Sequence, residues 1–229
     1  MSVSISPPAD AITACQKCGE CCKRYAISAL PHEIERQATF FKLDVANFTT
    51  IYTRLLVQFL PYSSGDHPLA LHTSMIPKPV WDQLKKAGFD AEYAMVLPMI
   101  GFKKQEYCVF FDTKTFGCTM HAVKPMQCNL FPFTSLKDNE DYAKAYDFCE
   151  LSKISSPTDK TKEIQKYHWG MWKLFFDKVA FEGMHAASEH WPETGDIVFN
   201  GQKIWPVTKN ELSQWLSLAK NKKIKESSE

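Results

Sequence analysis

Apolar residues at helical spacing predict two helices near the start of the chain. Pro31 opens the first, predicted over 31–43, because proline and acidic residues suit the first turn of a helix. Asp44 suits the N-cap of the second, whose broad apolar face continues to Phe59. The sequence therefore predicts a helical segment over most of residues 31–59.

Helical periodicity returns twice further along the chain. A short helix is predicted over 79–87, ended by Gly88, after a loop over 62–78. The longest helix is predicted over 159–182, ending before a glycine. Its predicted apolar face consists of Ile164, His168, Met171, Leu174, Phe175 and Val179.

The C-terminal part combines a hairpin signal with a helix signal. Asn200-Gly201 lies between two short β-prone runs, as in hairpins with a two-residue turn. Thr208 and Glu211 have the spacing of a capping box, which predicts a final helix. A β-hairpin followed by a helix is therefore expected at this end.

The segment over 100–150 shows little regular periodicity. A short buried strand is predicted over 107–111, a turn over 112–117 and an extended piece over 142–149. Because so few regular backbone hydrogen bonds are predicted here, another interaction must stabilise this segment, and a bound metal ion would do so. We expect an α+β fold that is mainly α, with helices around an irregular cysteine-rich metal-binding core and the small C-terminal hairpin and helix. The predicted division is a cysteine-cluster domain over 13–155, on which residues 156–229 pack.

Cysteines supply the candidate chemistry. Four of the eight lie within eight residues, because Cys-x2-Cys-x2-Cys-Cys covers 15–22. Thiolates this close repel one another unless a cation draws them together, so all eight are candidate metal ligands. They are Cys15, Cys18, Cys21, Cys22, Cys108, Cys118, Cys128 and Cys149.

The spacing of the cysteines favours an iron–sulfur centre and leaves zinc as an alternative. Bacterial ferredoxins use the x2-x2 run to place three thiolates around a [4Fe–4S] cluster, with a fourth ligand from elsewhere. Structural zinc more often uses two separate Cys-x2-Cys pairs, and the later cysteines here form none. We expect an iron–sulfur cluster, with zinc as the alternative. Disulfides are a further alternative, as is a simple buried thiol at Cys22 or Cys149.

Adjacent side chains on a helix or strand point in different directions, so Cys21 and Cys22 are not expected to ligate one mononuclear ion. The hypothesis that follows divides the eight cysteines into two sets of four. Cys15, Cys18 and Cys21 would join one late cysteine, and Cys22 would join the other three.

Composition and motifs exclude several other classes. The formal net charge of +1 gives no reason to expect nucleic acid or an anionic membrane. No apolar run is long enough to span a bilayer, and the first residues lack signal-peptide features, which favours the cytoplasm. The chain contains no Gly-rich nucleotide loop, zinc-protease helix or serine elbow.

The ordered cysteines resemble the YkgJ-type CxxCxxCC cysteine-cluster family. The likeness rests on the 15–22 run, on Cys108, and on a later segment over 117–133. That segment reads Gly117-Cys118, Lys124-Pro125-x2-Cys128 and Phe131-Pro132-Phe133. The resemblance implies a zinc- or iron-chelating domain over about 15–150, similar in this motif to flagellin lysine-N-methylases.

Two positions depart from the family pattern. The family usually has tyrosine near His121, and it has arginine where this chain has Lys124 before Pro125. A histidine there is either an extra ligand or proton carrier, or a hydrogen-bonded structural residue. Lysine in place of arginine keeps the charge but loses the planar fork.

The predicted function is therefore the binding of an iron–sulfur or other iron centre for a redox or protein-modifying role. A structural zinc module for protein interaction is one alternative, and an enzyme resembling the lysine methylases is another. The expected partners are metal ions and a protein substrate or redox partner.

Overall fold

The computed structural model describes residues 19–134, 140–184 and 190–226, with side chains as far as 217. The chain forms two compact units. The first unit contains residues 1–29 and 102–171, and the second contains 30–101 and 172–229. Each unit is described by itself below.

Strands and helices are both present, which confirms a mixed α/β fold. The described strands are β1 Ser28–Ala29, β2 Thr53–Tyr62, β3 Ala70–His72, β4 Tyr93–Phe102, β5 Phe111–Asp112, β6 Gly117–Cys118, β7 Thr194–Phe199 and β8 Gln202–Thr208. The described α-helices are Glu20–Arg24, Pro31–Phe40, Val45–Tyr52, Lys78–Lys86, Met126–Leu130, Tyr142–Ala145, Glu150–Ile154, Asp159–Glu182 and Lys209–Glu226. Short 3-10 turns cover Thr73–Met75 and His121–Val123.

The second unit is built on a mixed sheet. Its strands follow the order β4-β2-β7-β8, and β3 pairs with β4. β2 and β7 are parallel, whereas β7 and β8 form an antiparallel hairpin. Fully buried apolar side chains from both strands and helices fill its core, among them Phe48, Leu55, Leu71, Leu84, Ile197 and Leu212.

The parallel pair β2/β7 leaves no room for a side chain at Gly195, which is in register with Leu55. A Cβ atom there would overlap the backbone carbonyl of Leu55. The next residue, Asp196, is buried and forms ion pairs with Arg54 and Lys203. Close backbone approach and a compensated buried charge therefore hold the hairpin to β2.

The first unit contains much less regular structure. β5 and β6 form a two-residue antiparallel pair, with Phe111 opposite Cys118. Most of its helices are single turns, and the longer helix Asp159–Glu182 begins in this unit. Short elements such as these form few backbone ladders, so side-chain and loop contacts hold the unit together.

Several predicted elements are confirmed. The first helix begins at Pro31, and the Asp44 side chain caps the second by accepting from the Asn47 N–H at 2.8 Å. The hairpin turns at Asn200 and Gly201, which both have positive φ. Thr208 and Glu211 cap each other's backbone N–H groups at 2.8 Å and 3.2 Å.

Other predictions are wrong. The predicted second helix ends at Tyr52, and the run to Phe59 is the strand β2. The error arises on the less buried face of β2, where the apolar residues Leu56 and Leu60 alternate with Arg54 and Gln58 and interrupt the apolar–polar alternation expected of a strand. The strand β4 was not predicted, and its second half is buried without alternation, so "mainly α" understates the sheet.

Corrections in the remaining segments are local. Residues 107–111 are not a strand apart from Phe111 itself, and 142–149 begins as a helical turn rather than an extended piece. In helix Asp159–Glu182, Leu174 is exposed and Trp172 takes a buried place. The predicted boundary between 13–155 and 156–229 stays a prediction. Within the described ranges, no helix is both long enough and apolar enough to cross a membrane.

We predict that Gly195→Ala lowers the free energy of unfolding by about 2 kcal/mol or more, because the new methyl group forces β7 away from β2. Gly170→Ala is the matched control, since a Cβ there meets no atom within 4 Å and alanine favours the helix. It should stabilise the protein by about 0.5–1 kcal/mol. Urea unfolding of both variants measures the contrast, and equal effects would contradict it.

Candidate metal centre

The helix Glu20–Arg24 presents two of the predicted ligands, Cys21 and Cys22. Gly19 begins it in the left-handed conformation, with φ of 62°. A Cβ at Gly19 would overlap the ring of Phe111, which itself stacks on Tyr107 with centroids 4.9 Å apart. Glycine is therefore required here both for its backbone conformation and for the close approach of the ring.

Backbone contacts attach this helix to the segment that contains Cys108. The Cys108 N–H donates to the Cys22 carbonyl at 2.9 Å. Lys23 adds an ion pair to Glu106, with Nζ and Oε1 3.0 Å apart. Because the hydrogen bond joins two cysteine residues directly, it places one early and one late candidate ligand side by side.

Cys118 reaches the same segment through the β5/β6 hairpin. It lies opposite Phe111, the ring that covers Gly19. The Thr119 N–H donates to the Phe110 carbonyl at 2.8 Å, so the chain on both sides of this pair is held in register. The hairpin therefore carries Cys118 towards the helix Glu20–Arg24.

The helix Met126–Leu130 carries Cys128 and is fastened through its neighbour Gln127. The Gln127 Oε1 atom accepts from the Ser28 N–H at 2.9 Å and from the Ser28 hydroxyl at 3.1 Å. Ser28 follows Cys21 by seven residues, so this clamp connects the first and last parts of the family motif. The Cys128 N–H donates to the Pro125 carbonyl at 3.0 Å.

The charges of neighbouring cysteines raise the pKa values of Cys108 and Cys128. Desolvation raises the pKa of the Cys128 thiol, and the charges of Cys21, Cys108 and Cys118 raise it further. Desolvation also raises the pKa of Cys108 to about 11, with smaller contributions from Cys118 and Cys21. Cys21, Cys108, Cys118 and Cys128, from four separate segments of the chain, therefore lie near enough to influence one another electrostatically.

Cys21 and Cys22 do not point apart as the sequence suggested. A hydrogen bond with the Cys22 thiol is the largest cause that raises the pKa of Cys21, followed by burial and the Cys22 charge. The short helix that carries both residues begins at the left-handed Gly19. The division of the two cysteines between two sites stays a prediction.

Cys149 has different surroundings. It is buried in an apolar cluster with Phe133, Tyr142 and Leu151. Its carbonyl accepts from the Ser152 N–H at 3.0 Å and from the Ser152 hydroxyl at 2.6 Å. These contacts suit a packed thiol at the N-cap of helix Glu150–Ile154, and its role as a ligand stays a prediction.

His121 and Lys124 lie together just before Cys128. Their side-chain nitrogens, Nε2 and Nζ, are 3.4 Å apart. Desolvation and the Lys124 charge both lower the pKa of His121. The imidazole is therefore held neutral, with a ring nitrogen that accepts from the ammonium.

The donor set fits a thiophilic metal in its chemistry. Without a cation, the dehydrated thiols hold their protons, and a bound metal ion would stabilise the thiolates instead. Among the described residues, however, no three Cys, His, Asp or Glu side chains converge as a ligand group. Cys15 and Cys18, two of the predicted ligands, lie outside the described residues.

Two supporting residues were missed at the sequence level. Gly19 lies within the cysteine run, and the spacing of the cysteines gives no sign of its close approach to Phe111. Gln127 precedes Cys128, and nothing in the sequence signals that it clamps Ser28. Only the tertiary contact between residues 99 positions apart reveals it.

We predict that Gly19→Ala, in the first unit, lowers the free energy of unfolding by about 2 kcal/mol more than Gly88→Ala does in the second. Both glycines have positive φ, but only at Gly19 would a Cβ meet a ring, while at Gly88 it meets nothing within 4 Å. The difference therefore isolates the displacement of Phe111. Chemical unfolding measures stability, and metal content after purification should fall only in the Gly19 variant. Equal losses in both variants would show that the ring contact does not matter.

Comparison with known proteins adds a family to this geometry. Searches of curated proteins and of solved structures find no match to the chain. One family profile matches residues 14–150, a range that includes all eight cysteines. Its description reads "Putative zinc- or iron-chelating domain". The chain thus belongs to the CxxCxxCC family of zinc- or iron-chelating domains.

Proposed function

We propose that the first unit binds an iron–sulfur cluster through cysteine thiolates. The carrying observation is the shared environment of Cys128 with Cys21, Cys108 and Cys118, whose charges all raise its pKa. Such an arrangement is unfavourable for thiolates alone and favourable once a cation neutralises them. The family description supports metal binding independently, because it names zinc and iron.

The spacing of the early cysteines supports iron–sulfur within that broader class. Cys15, Cys18 and Cys21 have the x2-x2 spacing with which ferredoxins hold three corners of a cluster. A late cysteine would supply the fourth thiolate, and Cys128 is the best supported of the late ones. The bound cluster would supply electron-transfer or Lewis-acid chemistry, while these residues bind it and exclude water.

Structural zinc is the second candidate, and the family description favours it as much as iron. The short elements of the first unit support either metal, since both would stabilise a segment with few backbone ladders. A redox or protein-modifying role, a protein partner, a cytoplasmic location and lysine methyl transfer stay predictions. So does the ligand role of Cys22 and Cys149.

Metal and sulfide analysis of anaerobically purified protein separates the two candidates. We expect a coloured, oxygen-sensitive protein with iron and acid-labile sulfide in similar amounts. Colourless protein with about one zinc per four cysteines would indicate a structural zinc site instead. Protein with neither metal, even after reconstitution, would contradict both.

A variant of Cys128 extends this measurement to the site. We expect Cys128→Ser to lose the cluster or to hold it far less tightly, because a serine hydroxyl is a poor replacement for a thiolate. Asn129→Ser is the matched control on the same helix, since it removes no sulfur. Full metal content in the Cys128 variant would show that this cysteine is not a ligand.

Metal removal should loosen the first unit more than the second. The first unit has single-turn helices and two-residue strands, whereas the second has its own sheet and apolar core. Hydrogen exchange should therefore speed up over 104–130 on chelation and change little over 53–62. Unchanged exchange over 104–130 would show that metal does not organise this segment.

A further inference from the structure

Three polar side chains meet at one end of the β3/β4 pair in the second unit. His72 is the last residue of β3, Ser74 lies in the 3-10 turn that follows, and Glu92 immediately precedes β4. The Thr73 N–H donates to the Glu92 carbonyl at 2.9 Å, which holds the turn beside the start of β4. A serine, a histidine and a carboxylate in contact are the groups with which many proteins activate a hydroxyl nucleophile.

The backbone fixes which nitrogen of the His72 ring carries the proton. The Ser74 N–H donates to Nδ1 at 3.2 Å, and a backbone N–H can only donate. Nδ1 is therefore the unprotonated, basic nitrogen, and Nε2 carries the hydrogen of the neutral ring. Nε2 lies 3.3 Å from Oε1 of Glu92, so its N–H donates to that carboxylate.

The Ser74 hydroxyl is directed at the basic nitrogen of the ring. Its Oγ lies 2.6 Å from Nδ1 of His72, and because Nδ1 is unprotonated, the hydroxyl is the donor of this hydrogen bond. Ser74 is exposed, so a dissolved molecule can reach Oγ. An accessible hydroxyl within hydrogen-bond reach of a base, which a third group orients, is the geometric signature of an activated nucleophile.

An aromatic neighbour holds the His72 ring in this orientation. Tyr93 lies opposite His72 in the register of β3 and β4, and the two rings meet edge to face with centroids 5.2 Å apart. Gly65 leaves room for the tyrosine ring, because a Cβ there would lie 2.7 Å from one of its carbons. The direction of the imidazole towards Ser74 and Glu92 is therefore set by the packing around β3.

We propose that Ser74 is a nucleophile that takes the acyl group of small carboxylic esters, with His72 as its base and Glu92 as the residue that orients the imidazole. Oγ attacks the ester carbonyl carbon, and its proton passes to Nδ1. The bond between that carbon and the alcohol oxygen then breaks, and the leaving alkoxide takes the proton from Nδ1. Water attacks the acyl-serine in the same way, which releases the carboxylic acid and restores the hydroxyl. This activity goes beyond metal binding and uses none of the cysteines.

Labelling of the natural full-length protein with a fluorophosphonate tests the nucleophile. Attack of Oγ on phosphorus displaces fluoride and leaves a stable phosphonate, which peptide mass spectrometry locates. Ser63 is the internal comparison, since it is an exposed serine of the same unit. We expect Ser74 to react at least about 100-fold faster than Ser63, which is the low end of what a positioned base contributes. Equal labelling of the two serines would overturn the proposal.

His72→Asn separates the role of a base from that of a cap for the 3-10 turn. Asparagine is a good cap residue, so its side-chain oxygen can still accept from the Ser74 N–H, but an amide does not take up the proton. We expect the labelling of Ser74 to fall about 100-fold in this variant, whereas Ser63→Ala leaves it unchanged. Full labelling of Ser74 in His72→Asn would show that His72 only caps the turn, and the proposal would fail. The comparison of Ser74 with Ser63 needs no variant, so it decides the question even if His72→Asn does not fold.

Glu92→Gln keeps the shape of the side chain and removes the charge that favours the imidazolium. The labelling of Ser74 should fall only about two- to fivefold, because the Glu92 side chain is 71% exposed and solvent screens its charge. An unchanged rate would overturn the role given to Glu92.

Hydrolysis of p-nitrophenyl acetate tests the complete reaction. The natural protein should release p-nitrophenol faster than buffer alone, Ser63→Ala should do the same, and Ser74→Ala should lose this excess. If Ser74→Ala keeps the full rate, acyl transfer does not pass through Ser74 and the proposal is overturned. That outcome leaves the metal-binding proposal untouched, because the metal and sulfide content is measured separately.

Discussion

Crowded thiols place the strongest physical constraint on the first unit. Cys21, Cys108, Cys118 and Cys128 come from different elements, yet their charges act on one another in a dehydrated environment. As thiols they are merely weak donors, and as thiolates they repel one another. A cation reverses the balance, because it attracts all of them at once. The short strands and single-turn helices around them have little independent stability, so we expect a bound cation to stabilise this arrangement.

The contacts that bring the cysteines together are mostly ordinary backbone and amide hydrogen bonds. Cys108 donates to the Cys22 carbonyl, and Gln127 joins Ser28. Gly19 allows the Phe111 ring to lie directly against the start of the cysteine helix. None of these groups is a metal donor, but each fixes where a donor lies. A change in one of them therefore alters the site without removing a ligand.

Buried charge is compensated within the second unit. The Asp196 carboxylate is buried and forms ion pairs with Arg54 of β2 and Lys203 of β8. A buried carboxylate without such partners would be strongly unfavourable, so these ion pairs belong to the contacts that fix β7 between its neighbours.

The sequence by itself determined the local signals and the family. The capping residues Asp44 and Thr208 and the Asn200-Gly201 turn act within a few residues, so they are readable without tertiary structure. The ordered cysteines likewise identify the chelating domain over 14–150. Only the tertiary structure decided that the apolar run after Tyr52 is a strand, because apolar residues on both faces, Leu56 and Leu60 among them, remove the alternation that distinguishes strand from helix. It also decided which cysteines lie near one another, because contacts between distant segments leave no pattern in a single sequence.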